Sequence, residues 1–294
     1  MSLWIDFLGA EIRYIDTPTF GRTRIAEAGR GNKEALVLMH GIGGHLEAYA
    51  KNIVPLSAHY HVIAFDFVGH GLSEKKVDFE YSPGAYAKQL GEVMDALGLQ
   101  SAHISGESLG GMAAGTFAVA HPERVKRLIL NTTGGIPIVS EKGRRDLKEL
   151  AELTARNTGK PPTMESVRAR MQWLIHESKW DLLTDELVGT RLNFYSRPEF
   201  QKSAPFVFSA LSKAGATGIP RNDMLELEKL QCETLLLWTR FNPIHDVEAA
   251  QAALPRIPKG KLYVIKVDAA HWPQYESPDE FNEVVERFLR GGEV

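Results

Sequence analysis

Six short apolar runs, each parted from the next by helical or loop sequence, constrain what this 294-residue chain can become. They cover residues 34–39, 61–65, 102–105, 125–130, 234–238 and 262–267. Short runs that are mainly apolar and rich in β-branched residues read as strands, and their alternation with helices predicts an α/β fold, a mostly parallel sheet with helices on both faces. Near the N-terminus the pattern is shorter and alternating, as in Glu11-Ile12-Arg13-Tyr14-Ile15, which predicts antiparallel strands at one edge. Between Thr133 and Leu230 no strand is readable and amphipathic helices follow one another. Val167, Met171, Leu174 and Ile175 form one such stripe. The chain therefore divides into a core of residues 1–133, a helical cap of 134–230 and a returning core of 231–294. An insertion after the strand ending at Asn131 sits over the carboxyl ends of the strands, where open α/β sheets bind ligands.

Two helices are readable in detail. Between Ser82 and Gly98, Tyr86, Leu90, Val93, Met94 and Leu97 recur at helical spacing behind a serine cap. Near the C-terminus, Ser277-Pro278-Asp279-Glu280 reads as a capping box opening a helix that Gly291-Gly292 ends.

Composition narrows the partners. A net charge of −3 with 44% hydrophobic and 24% charged residues gives no basic surface for nucleic acid and no membrane-binding bias, so a small molecule is the expected partner. Asp6, Glu11 and Asp16 interrupt the early apolar stretches, and no apolar run reaches membrane-spanning length. The single cysteine, Cys232, begins an apolar run and reads as a buried thiol, which fits a cytoplasmic protein.

The chemistry-bearing motif is Gly106-Glu107-Ser108-Leu109-Gly110. It stands between an apolar run and the small-residue helix Gly111-Met112-Ala113-Ala114-Gly115. A strand, a sharp turn and a helix strain the backbone of the central serine and lift its hydroxyl out of the fold. A serine hydroxyl is a weak nucleophile until a base takes its proton. Of the ten histidines, His271 follows a strand late in the chain, so it reads as that base. His40-Gly41-Ile42-Gly43-Gly44 follows the 34–39 strand, and the Ile42 and Leu109 amides are the expected oxyanion donors. There is no G-x-G-x-x-G fingerprint, no P-loop lysine, no HExxH and no CxxC, so neither cofactor nor metal is expected.

These motifs, with Asp66-Phe67-Val68-Gly69-His70-Gly71-Leu72-Ser73 and Ala270-His271-Trp272-Pro273, resemble the α/β-hydrolase fold family. Within it, His271-Trp272 and the segment from Asp185 to Leu192 resemble the meta-cleavage product hydrolases, which break a carbon–carbon bond in dienoates made by ring fission of catechols. The resemblance implies an eight-stranded sheet, a dimer, and Ser108 as nucleophile or water activator. It also implies that Arg191 holds the substrate's 2-oxo carboxylate with Trp272 packed beside it; the alternative for Arg191 is a surface helix cation.

One position departs from the family. Members usually carry an aspartate four residues after the tryptophan that ends the seventh strand; here that tryptophan is Trp238 and the residue is Asn242. The exchange of aspartate for asparagine in a serine protease triad costs roughly 10⁴ in rate, about 5.5 kcal/mol of barrier. Asn242 can orient His271 through its carbonyl oxygen. Asp246 can reach it from the next turn, although its place before Val247 also suits a helix N-cap. A third possibility is a slow or redirected site. Glu107 reads as support for the turn, its side chain directed away from the pocket. The primary expectation is a carbon–carbon hydrolase, with a carboxylesterase or lactonase, or a ligand-binding protein of weak activity, as alternatives.

Overall fold

The computed structural model describes residues 2–157, 159–218 and 221–294. Eight strands form one sheet: β1 (Glu11–Thr17), β2 (Gly21–Ala28), β3 (Ala35–Met39), β4 (His61–Phe65), β5 (Ala102–Glu107), β6 (Val125–Asn131), β7 (Glu233–Trp238) and β8 (Gly260–Val264). Their order is β1-β2-β4-β3-β5-β6-β7-β8. The β1–β2 and β2–β4 pairs run antiparallel and the remaining pairs parallel. Every residue of β3 and β5 is buried, as near-continuous apolar sequence requires of strands covered on both faces. Two apolar clusters result, one on each side of the sheet. Val37, Ile104 and Leu130 belong to one, and Leu36, Ile129 and Leu237 to the other.

The helix Pro83–Ala96 starts at Ser82, whose hydroxyl accepts the Ala85 amide. Two expectations at the C-terminal end are corrected. β8 stops at Val264: the Ile265 amide makes a last bond to Trp238, and then the Lys266 amide turns to Glu280 Oε1, leaving Val267 exposed. The capping box does not form. Glu280 is drawn to the end of β8, where it also accepts the Tyr263 hydroxyl at 2.8 Å, so Ser277 caps the helix Pro278–Leu289 without a side-chain bond to its backbone.

Between β6 and β7 the described residues hold helices and no strand, among them Glu141–Asn157, Met164–Leu174, Asp185–Tyr195, Pro198–Val207 and Ser209–Thr217. Tyr195 stacks on Phe200 at 4.5 Å, and its hydroxyl donates to the Gly43 carbonyl at 2.7 Å. That bond ties these helices to the turn after β3. Among the described residues no helix is long and apolar enough to cross a membrane.

Candidate active site

Parallel strands deliver their following loops to one edge, and a cavity of roughly 1060 Å³, its mouth included, opens there. Its wall takes Gly41 and Ile42 after β3, Glu107 and Ser108 at the end of β5, Gly134 after β6, His245 after β7 and His271 after β8. The helices between β6 and β7 close it with Leu147, Leu150, Arg170 and Trp173.

Ser108 sits at φ 54° and ψ −115°, a region costly for a residue with a Cβ. The surrounding glycines make the turn possible. A Cβ on Gly106 would lie 2.2 Å from the Gly110 carbonyl oxygen, and one on Gly110 would lie 2.4 Å from the Met39 carbonyl oxygen. Helix and strand backbones therefore touch where any side chain would part them. The Ser108 amide donates to Asn131 at 3.1 Å, which ties the turn to β6.

Ile42 and Leu109 both border the cavity, and among the described residues neither amide has a hydrogen-bond acceptor. The turn that carries Ile42 is fixed by His40, whose Nδ1 contacts the Gly41 carbonyl at 2.7 Å and whose Nε2 accepts the Phe67 amide at 3.1 Å. Burial pushes this imidazole down to about 4, so it stays neutral.

His271 is held from four directions. Its amide donates to the Leu174 carbonyl and its carbonyl accepts the Thr132 hydroxyl, each at 2.9 Å. On the ring, Nδ1 lies 2.7 Å from Asn242 Oδ1 and Nε2 lies 3.1 Å from Glu107 Oε1. Beneath the loop, the buried Glu276 accepts the Ala270 and Trp272 amides on either side of His271, and the His176 amide besides. Burial raises the Glu276 carboxyl above its ordinary range against the pull of these bonds.

The two residues considered as partners for the base are separated by the structure. Asn242 stands against Nδ1, its own amide donating to the His245 carbonyl, so its oxygen faces the ring. Asp246 instead accepts the Ala249 amide as the N-cap of the helix Val247–Ala253, because the chain has already turned into that helix. Glu107 overturns the expectation for its side chain. Its Oε2 does support the turn, accepting the Gly41 amide at 2.6 Å, but the carboxylate borders the cavity and reaches His271.

Trp272 lines the cavity, and the Arg191 guanidinium lies 4.8 Å over its ring. Arg191 is no surface cation: it is 1% exposed, donates from Nε to His45 at 3.3 Å, and among the described residues leaves Nη2 without an acceptor. The cavity wall reaches Trp272 and not Arg191. The guanidinium on the wall is Arg170, buried among Thr154, Phe208 and Tyr195 and pushed down to about 10 by burial. Sequence reasoning passed over Arg170 and Glu276. Arg170 carried a signal, since it falls between Val167 and Leu174 on the apolar stripe of its helix.

A family model described as alpha/beta hydrolase fold matches residues 34–278. The chain belongs to the α/β-hydrolase fold family. It is 30% identical over 290 residues to the 2-hydroxy-6-oxononadienedioate/2-hydroxy-6-oxononatrienedioate hydrolase of Escherichia coli, covering 95% of this chain and 96% of that protein. It is 32% identical over 228 residues to the 2-hydroxymuconate semialdehyde hydrolase of Pseudomonas putida, covering 78% and 76%. Among solved structures, the meta-cleavage product hydrolase CumD of Pseudomonas fluorescens superposes with a TM-score of 0.78 at 26% identity, over 97% of this chain and 99% of that one.

Proposed function

We propose that the protein is a serine-dependent, cofactor-independent hydrolase that cleaves a carbon–carbon bond in a 2-hydroxy-6-oxohexa-2,4-dienoate, releasing a 2-hydroxydienoate and a carboxylic acid. One observation carries the reading: Ser108, in its strained turn, shares one cavity with His271 and with the turn bearing Ile42. The relatives named above are hydrolases of 2-hydroxy-6-oxononadienedioate and of 2-hydroxymuconate semialdehyde, and CumD is a meta-cleavage product hydrolase, which supports the substrate class. After the dienol becomes a ketone, His271 takes the proton of Ser108 or of a water as its oxygen attacks the distal carbonyl. The Ile42 and Leu109 amides receive the oxyanion, and the breaking bond sends its electrons into the conjugated ketone; where Ser108 is the attacking group, a water activated by His271 then cleaves the acyl ester on Ser108 and frees the carboxylic acid. The residues from 134 to 230 act as a cap over this chemistry.

The carboxylate end of the substrate lies against Trp272, with Arg191 behind it. The unpaired Nη2 supports this assignment, since a buried donor without an acceptor is costly. Among the described residues Arg170 has no carboxylate partner either, and it suits a second, distal carboxylate such as that of a dienedioate.

The experiment is the loss of dienolate absorbance with methyl-, phenyl- and carboxyethyl-substituted substrates, using purified protein with a Ser108→Ala control. Rapid bleaching that requires Ser108 is the expected result. Bleaching no faster than the control on all three overturns the reading. A second reading, carboxylester hydrolysis, has one observation in its favour: the wall carries the Glu107 carboxylate while Arg191 stands behind it. An uncharged ester needs no anion anchor, so ester turnover that survives Arg191→Met, in a natural chain that turns over no dienolate, selects that reading.

A further inference from the structure

The ring nitrogens of His271 face two different oxygens, and their chemistry fixes where protons must be. Asn242 donates through its amide nitrogen to the His245 carbonyl and so presents its carbonyl oxygen to Nδ1. That oxygen can only accept, and Nδ1 therefore carries a proton. On the other side, Nε2 stands 3.1 Å from Glu107 Oε1, while Oε2 of the same carboxylate is occupied by the Gly41 amide. A neutral imidazole protonated at Nδ1 would set a lone pair against a carboxylate lone pair. The contact is attractive only with a proton between them. Both side chains are buried, which keeps water from screening the pair.

We propose that Glu107 is a positioning residue that supplies, from the Nε2 side, the negative charge that a triad with Asn242 in its third place lacks. The inference rests on the reading of Ser108 and His271 as nucleophile and base. The proton that Nε2 shares with Glu107 in the resting site first leaves, to the dienolate as it becomes the ketone or to water with an ester. The freed Nε2 then takes the proton from the attacking oxygen as that oxygen bonds to the substrate carbonyl, and the imidazolium so formed faces Glu107 Oε1. The proton then leaves Nε2 for the departing group, and Glu107 remains ionised throughout. Asn242 keeps the ring in place and the correct tautomer; Glu107 stabilises its charge. Geometry and charge, joined in one aspartate elsewhere, are here divided between two residues.

The test is a four-variant cycle of the natural chain, Glu107→Gln, Asn242→Asp and the pair, with kcat and KM measured on a dienolate and on a 4-nitrophenyl ester. Glutamine keeps an acceptor for Gly41 and removes the charge. The expected result is a 10²- to 10⁴-fold fall in kcat for E107Q with KM within threefold. Adding N242D to E107Q recovers most of that fall, whereas N242D alone changes kcat by less than tenfold. Equal gains from N242D in both backgrounds would mean that Glu107 contributes no charge, and would overturn the proposal. If E107Q does not fold, N242D alone decides: a gain of 10³-fold or more overturns it. If neither substrate is turned over, the functional reading fails separately, and ¹⁵N spectra of the histidines in the resting protein still decide. Two protonated ring nitrogens on His271 in the natural chain and one in E107Q support the proposal; one in both overturns it.

Discussion

The two sides of the cavity are built by different means. On the side of the proposed nucleophile, Ser108 is placed by covalent geometry: a strained backbone and two glycines that let a strand, a turn and a helix touch. On the side of the proposed base, His271 is placed by side chains from distant parts of the chain: Asn242, Thr132, Glu107 and Glu276. A site that is local in sequence tolerates no added volume, whereas one assembled from afar tolerates volume better than the loss of a hydrogen-bonding atom.

The strongest way to break this contrast is to remove the atoms proposed to react. Ser108→Ala and His271→Ala should each lower kcat by about 10⁴-fold or more, and the double variant should lose little beyond the worse single, because the two act as a unit. Thermal unfolding of all three should stay near that of the natural chain. If the losses multiply, the serine and histidine do not work together.

Backbone contact comes next. Gly110→Ala would drive a methyl group into the Met39 carbonyl, fixed in β3, and should cost about 3 kcal/mol or more of stability. Denaturant unfolding measures it, and a loss below 1 kcal/mol would mean that the elbow yields and the proposed rigidity of the nucleophile side is wrong.

Glu276→Gln tests the other side. Glutamine offers one carbonyl oxygen where the carboxylate serves three amides, and it turns an amide donor toward another donor. Kcat should fall about 10- to 100-fold while KM holds, with a loss of roughly 2 kcal/mol in stability. A variant that is destabilised and catalytically unchanged would show that Glu276 only supports the fold.

The same division explains how far the sequence could be read. β3 to β7 were legible because strands covered on both faces leave short, mainly apolar runs between helices, even with His103 and Ser105 in β5 and Lys126 and Arg127 in β6, and the elbow was legible because its requirements sit within five consecutive residues. β8 and the Ser277 capping box were misread for one reason. Glu280 meets the local rule for a cap yet is claimed by Tyr263 and Lys266. Glu107 was misplaced likewise, since its direction is set by Gly41 and His271, both far away in sequence. Arg170 shows the converse: a charge on an apolar stripe is locally improbable, so it could have been flagged.

The smallest effect separates the sides by acid. His40 under the nucleophile turn and His245 beside the base are both held down to about 4 by burial, against an ordinary value near 6.5. Between those values the unfolded chain binds protons that the folded chain refuses, so each histidine makes stability rise with pH across that window. The contribution is complete above about pH 7 and is lost as pH falls toward 4. At pH 5.5 each should cost about 1 kcal/mol relative to pH 7.5, readable as a shift in the denaturant midpoint. His245→Gln keeps a donor for the Ile136 carbonyl, which His245 Nε2 now meets at 3.1 Å, and should remove about 1 kcal/mol of the whole loss, the rest coming from His40 and from His45, His70 and His103, which burial also holds down. If it removes all of it, the His40 turn takes up a proton without strain. The nucleophile side would then be the adaptable one, and the contrast between a side fixed by backbone and a side fixed by charge would be reversed.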